Sequence, residues 1–122
     1  MQIGHVYQGS EHYGGHYHCL GLFVVVKIGK KFTSLKQIEC VEIETPIENV
    51  TPVDYHSHGK RKAIVPFQVS GRTVLIAHDN YFAEDDRALT PNGGSMCYKN
   101  FERVLPNAEN EYIFTSSSTH YD

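Results

Sequence analysis

Apolar and polar positions are patterned most clearly between Lys62 and Asp79, KAIVPFQVSGRTVLIAHD, where two β-rich runs flank Ser70-Gly71. A two-residue connection with a glycine available for positive φ predicts a hairpin at that point. Pairing across it sets Val69 opposite Arg72, Phe67 opposite Val74, Val65 opposite Ile76 and Lys62 opposite Asp79, so one face is apolar and the ends carry opposite charge. Pro66 places its strand at an edge or on a bulge. Leu20 to Ile28 is an unbroken apolar, β-branched run, the pattern of a strand buried on both faces, and Gly29-Lys30-Lys31 ends it. Gln37 to Glu44 predicts another strand, while Ser34 and Gln37 have capping-box spacing that allows one helical turn before it. Ile3 to Tyr7 and Glu111 to Thr115 complete a set of about six strands. Near the end, Cys97, Phe101, Val104 and Leu105 recur at the spacing of one helical face, with Ser95 as N-cap and Pro106 as stop, which predicts a helix near 96–105. The expected fold is α+β and mainly antiparallel β: a single curved sheet of about six strands with one or two short helices, forming one ligand-binding domain over 1–122.

Composition narrows what such a domain does. A chain of 122 residues and 13.8 kDa has room for one core and little more. Its formal charge of -3 and pI near 6.2 supply no strong positive field for long nucleic acid, although a small anion needs only local positive charge. The longest apolar run, Cys19 to Val26, is too short to span a bilayer, and the first twenty residues lack a basic segment followed by an apolar one. Three cysteines, Cys19, Cys40 and Cys97, share no CxxC spacing, and Cys40 and Cys97 fall on predicted apolar faces as small core residues. Together these features predict a cytoplasmic, reduced protein with no membrane partner.

Eight histidines raise the question of metal or acid-base chemistry. His16-Tyr17-His18 and His56-Ser57-His58 each place two imidazoles at i, i+2, and His78 is a conceivable third ligand. The surrounding residues do not complete any established HxH motif, and HExxH is absent. Both pairs lie beside glycines, Gly14-Gly15 and Gly59, which reads as polar loops. No metal site and no cofactor are therefore expected. GxSxG, a Walker loop and a paired-carboxylate signature are also missing, so no catalytic residue is assigned. Two histidines with the basic run Lys60-Arg61-Lys62 leave one enzymatic alternative, a small histidine-dependent phosphodiesterase or nuclease.

The best-organised polar segment runs from Asn80 to Ser95, NYFAEDDRALTPNGGS. Adjacent aromatics, Tyr81 and Phe82, offer a stacking surface for a base. Arg87 is a local cation. Asn92 both donates and accepts hydrogen bonds, and Gly93-Gly94 at a predicted helix start exposes backbone N–H groups to an anion. These groups suit a nucleotide carrying a pyrophosphate. The competing structural reading puts Phe82 in the core and leaves Asn92-Gly93 as an ordinary turn.

At this segment the chain resembles the phage anti-Thoeris sponge family, through Phe82 in NYFAEDDR and Asn92 in TPNGGS, which match that family's ligand-contacting Phe and Asn. The resemblance implies a non-enzymatic, phage-encoded homo-oligomer in the bacterial host cytoplasm. Such a protein binds a cyclic ADP-ribose isomer made by a TIR-domain enzyme and blocks host defence without degrading the messenger. On that expectation Phe82 stacks on adenine and Asn92 bonds polar ligand atoms. Charge and proximity in the sequence, not the resemblance, add Arg87 with the Gly93 and Gly94 amides as the phosphate holder, with Tyr81 alongside.

Overall fold

A computed structural model describes residues 1–13, 16–44, 55–91 and 97–120, with the backbone alone described at 44, 55–58 and 117–120. Ten antiparallel strands make up most of it: β1 (Val6–Tyr13), β2 (His16–Ile28), β3 (Phe32–Ile38), β4 (Cys40–Glu44), β5 (Tyr55–Ala63), β6 (Val69–Ala77), β7 (Tyr81–Phe82), β8 (Arg87–Pro91), β9 (Cys97–Val104) and β10 (Tyr112–His120). The one helical segment among the described residues is a 3-10 turn at His78–Asn80. The strands run in the order β4-β5-β10-β2-β1-β9-β8-β7, with β3 attached to β2 and β6 attached to β3. No helix among the described residues is long and apolar enough to cross a membrane.

The long strand β2 organises this curled sheet. One edge pairs with β1 from His16 to Val24, while the other is shared: His16 to His18 pair with β10, and Phe23 to Ile28 pair with β3. The exchange happens at a bulge. Gly9 lies opposite Gly21 and Ser10 opposite Cys19, so Leu20 has no partner on β1, and Gly21 takes φ +106. A bulge bends its strand and increases local twist, which lets one strand serve two diverging sets of neighbours.

Of the run expected to be buried on both faces, Leu22 to Val25 are buried so, while Val26 and Ile28 beyond them are exposed. Phe23 and Val25 join Tyr7, Leu35, Val74, Ile76, Ala88 and Phe101 in a first core. Leu22 and Val24 join Val6, Ile38, Ala63 and Phe114 in a second. The β1–β2 ribbon is thus a middle layer, with β3, β6 and β8 closing one side and β10 and β5 the other. In the first core, the Phe23 and Phe101 rings meet edge to face at 5.4 Å and 82°, worth roughly 0.5–1.5 kcal/mol beyond their buried area. Gly9 lies beneath them: a Cβ there would be 2.8 Å from Phe23 and 2.9 Å from Phe101.

Several expectations are corrected. The segment expected as a helix near 96–105 is β9 from Cys97 onward, with Ser95 and residue 96 outside the described residues. A spacing of four is common to one helical face and one strand face, so Cys97 and Phe101 do not discriminate, and Leu105, which would complete the helical stripe, is 70% exposed. The hairpin at Ser70-Gly71 does not form. Both residues lie inside β6, which pairs with β3 (Thr33 with Ile76, Leu35 with Val74), while β5 lies between β4 and β10. Alternation specifies which face of a strand is buried, not which strand covers it, and β3 brings Leu35 to the first core beside Val74 and Ile76. Lys62, expected opposite Asp79, instead bonds Glu111 at 2.5 Å. No helical turn forms at Ser34, which lies within β3, and the Gln37–Glu44 strand is divided at Glu39, whose N–H donates to the Gln68 carbonyl at 2.7 Å. Both HxH pairs lie in strands, β2 and β5, not in loops.

Candidate ligand-binding site

Strand alternation sends Gly9, Phe101 and Ala88 into the first core and turns their neighbours to the opposite face. Three cross-strand rows are built there from β8, β9 and β1: Arg87–Glu102–Gln8, Leu89–Asn100–Ser10 and Pro91–Tyr98–His12. On β1 this face begins as Val6, a member of the second core, and turns polar along Gln8, Ser10 and His12. Above the rows lies a cleft of about 650 Å³, lined by Phe82, Arg87, Tyr98, Asn100, Glu102 and His12 among others. A second recess of about 320 Å³ adjoins it, sharing His12, Asn100 and Glu102 and adding Gln8, Ser10 and Tyr17. The larger volume is within the range of small-molecule sites, roughly 300–1,000 Å³.

Aromatic surface is concentrated at one end. The His12 ring stacks on Tyr98 at 4.6 Å and 8° and meets the Tyr17 ring at 5.0 Å and 68°. Burial pushes the His12 pKa below its ordinary value, so the imidazole is neutral at physiological pH and acts as an aromatic surface with one donor and one acceptor. Phe82 lies across from Arg87 in the short β7–β8 pairing and is 46% exposed, so it presents a ring to the cleft and does not join the core.

Polar groups on the floor are incompletely satisfied. Arg87 forms no hydrogen bond or ion pair with any described residue, and its Nε is buried without a partner. Asn100 donates from Nδ2 to Glu102 Oε1 at 3.0 Å, while its Oδ1 is buried and unpartnered. Three buried side-chain polar atoms lack partners among the described residues, and two of them belong to these cleft residues. Each costs about 1–3 kcal/mol until a ligand or water meets it.

The hairpin that carries Phe82 and Arg87 is held from behind by Asp86. The Tyr7 and Tyr81 hydroxyls both donate to Asp86 Oδ1, the latter at 2.7 Å, and Arg103 Nη1 donates to Oδ2 at 3.2 Å. The same guanidinium nitrogen reaches His5 Nδ1 at 2.6 Å. Asp86 itself has φ +49, and the Arg103 N–H donates to its carbonyl at 3.3 Å. Burial raises the Asp86 pKa, but the three donated hydrogen bonds outweigh it and hold the carboxyl below its ordinary value. Burial and the Asp86 carboxylate raise both tyrosines, and burial with the neighbouring Arg103 charge lowers His5.

Of the residues singled out by sequence, Phe82 and Arg87 come together in the cleft. Tyr81 points the other way: it packs on the first core and lines a small cavity of about 180 Å³ with Met1, Ile28 and Ile76. Asn92, Gly93 and Gly94 lie outside the described residues. Sequence reasoning missed Tyr98, Asn100, Glu102 and His12. The first three alternate on β9 and were legible only if that segment was read as a strand. Cys97, expected in the core, lines the cleft. Among the described residues no group of three His, Cys, Asp or Glu side chains is arranged to hold a metal ion, and the side chains of His56 and His58 lie outside that set. Comparisons with protein-family models, curated proteins and solved structures return no match to this chain.

Proposed function

We propose that the chain is a non-enzymatic binder that sequesters a cyclic ADP-ribose-type signalling nucleotide, with the β8–β9–β1 cleft as its site. The observation that carries this reading is Arg87, unpaired among the described residues, beside the exposed Phe82 ring, in a cleft whose far end holds the stacked Tyr98–His12 pair. A cation without a partner supports phosphate binding, and rings at two separate places support stacking of a base, worth about 1–3 kcal/mol per base. Sequestration needs preorganised groups and no turnover, and the Asp86 network preorganises the hairpin bearing Phe82 and Arg87. In keeping with the family resemblance, the reading extends to a phage-encoded homo-oligomer that blocks host anti-phage defence from within the bacterial cytoplasm.

The test is capture and release. The protein is incubated with lysate containing an active TIR enzyme, freed of small molecules and heat-denatured. Release of an intact cyclic ADP-ribose isomer by mass spectrometry supports the proposal, and loss of capture in Phe82→Ala and Arg87→Ala places it at this cleft. An empty protein sinks the proposal. A protein that returns only cleaved product replaces it with the phosphodiesterase alternative.

A further inference from the structure

Asn100 occupies the middle row of the polar face and lines both recesses, so it stands where they join. Its amide is oriented by one bond. A carboxylate only accepts, so donation to Glu102 Oε1 at 3.0 Å identifies Nδ2 as the end facing Glu102 and commits Oδ1 as an acceptor on the other side. That Oδ1 is buried and receives no hydrogen bond from the described residues. Glu102 is the register partner of Arg87, yet the two form no ion pair, leaving both charges to the cleft. The floor therefore offers a cation and a carboxylate, with a committed carbonyl acceptor just beneath its surface. A ligand made only of acceptors, such as inorganic pyrophosphate, satisfies Arg87 and sets oxygen against both Asn100 and Glu102. An apolar ligand satisfies none of the three.

We infer that Asn100, oriented by Glu102, is a specificity-determining residue that demands a hydrogen-bond donor, an exocyclic amino group or a ribose hydroxyl, on the nucleotide whose phosphate lies at Arg87. The inference rests on the reading of the cleft as a nucleotide site and adds a selection rule to it. A site that meets a donor with a buried acceptor discriminates strongly against an analogue lacking that donor, because the acceptor is then left unpaired. Asn100 itself touches the ligand; Glu102 acts through it as a positioning residue.

The experiment uses the full chain and isothermal calorimetry. The probes are the cyclic product that a TIR enzyme makes from NAD, the same product made from nicotinamide hypoxanthine dinucleotide (a carbonyl in place of the amine), products from NAD analogues lacking one hydroxyl of the adenosine ribose, and inorganic pyrophosphate. The expected result is binding of the NAD product at least about tenfold tighter than one of the two analogue classes, and that class names the donor. Asn100→Ala weakens the NAD product and brings the ratio towards one. Glu102→Ala, which frees the amide to turn over, lowers the ratio as well. Phe82→Ala weakens all nucleotides together and leaves the ratio in place. Equal affinity for all nucleotide probes, or a ratio unchanged in Asn100→Ala, overturns the inference while the nucleotide reading stands. A wild-type protein that binds none of them overturns both.

Discussion

The two faces of β1 and β9 are made from alternate residues of the same strands and obey opposite rules. On one face Tyr7, Gly9 and Phe101 are packed with Phe23 and Ala88 so closely that no methyl group fits at Gly9. On the other, Ser10, His12, Tyr98, Asn100 and Glu102 surround open volume, and two neighbouring polar atoms go unpaired among the described residues. The packed face determines where the strands lie; the open face inherits those positions and spends them on chemistry. A site built on rigid strands is more accurately held than one on loops, so the contrast is a division of labour.

The comparison can be broken at the packed face first. Phe101→Ala should lose about 3–5 kcal/mol in urea denaturation, since it empties the centre of the first core. Tyr98→Ala, three residues earlier on the opposite face, should change stability far less and weaken nucleotide binding instead. Equal losses of stability in both would erase the distinction.

Next comes Gly9→Ala. The added Cβ meets two ring carbons at 2.8 and 2.9 Å, and both rings are fully buried, so neither can swing away. A loss of about 1–3 kcal/mol is expected by thermal or chemical denaturation. A neutral result would show that the rings have more freedom than their burial implies.

Asp86 joins the two faces, and its removal should fall in the same range or below. Asp86→Ala leaves the Tyr7 hydroxyl buried without its acceptor, a loss of about 1–3 kcal/mol. The pH dependence has a definite sign. The folded pKa of Asp86 is depressed, so its contribution is complete above the unfolded carboxyl value of 3.8 and drains away as pH falls below it. His5 is depressed as well: below its ordinary 6.5 the unfolded chain takes up a proton that the folded protein resists, and stability falls with falling pH there too. Denaturant midpoints measured across pH should drop in both windows. Asp86→Asn should make the lower window shallower, and His5→Gln the upper one, where His12, also depressed by burial, carries the remainder.

Smallest in stability are the changes at the mouth of the cleft. Phe82→Ala should shift unfolding by no more than about 0.5 kcal/mol, because Phe82 is exposed, and Arg87→Ala, which removes a buried donor unpartnered among the described residues, should not destabilise the fold. In the capture assay both should lose most of the bound nucleotide. A large stability loss with capture intact would return Phe82 to a packing role.

How much of this was legible beforehand varies along the chain. Leu20 to Ile28 announced a strand buried on both faces, and both cores do meet on Leu22 to Val25, but the run continues past the core into exposed Val26 and Ile28, where nothing covers it among the described residues. Phe82 and Arg87 were recognisable as exposed chemistry from their polar, turn-rich surroundings, and they share the cleft. Tyr81 was not separable from Phe82 by sequence, since adjacent strand residues face opposite ways and only the register of β7 says which is which. The segment from Cys97 misled through an ambiguity of period, and with it went Tyr98, Asn100 and Glu102.

By itself, then, the order of residues determined that this is a β-rich chain and where its main apolar runs lie. Those properties are local: they follow from side-chain type and a period of two. Strand partnership was decided only in three dimensions. Ser70-Gly71 has the chemistry of a turn, yet it lies inside β6 because β3 offered the apolar face of that strand a better cover than its neighbour did. The cleft has the same origin. His12 and Asn100 are 88 positions apart in the chain, and they meet because β1 and β9 pair through the core on their other side.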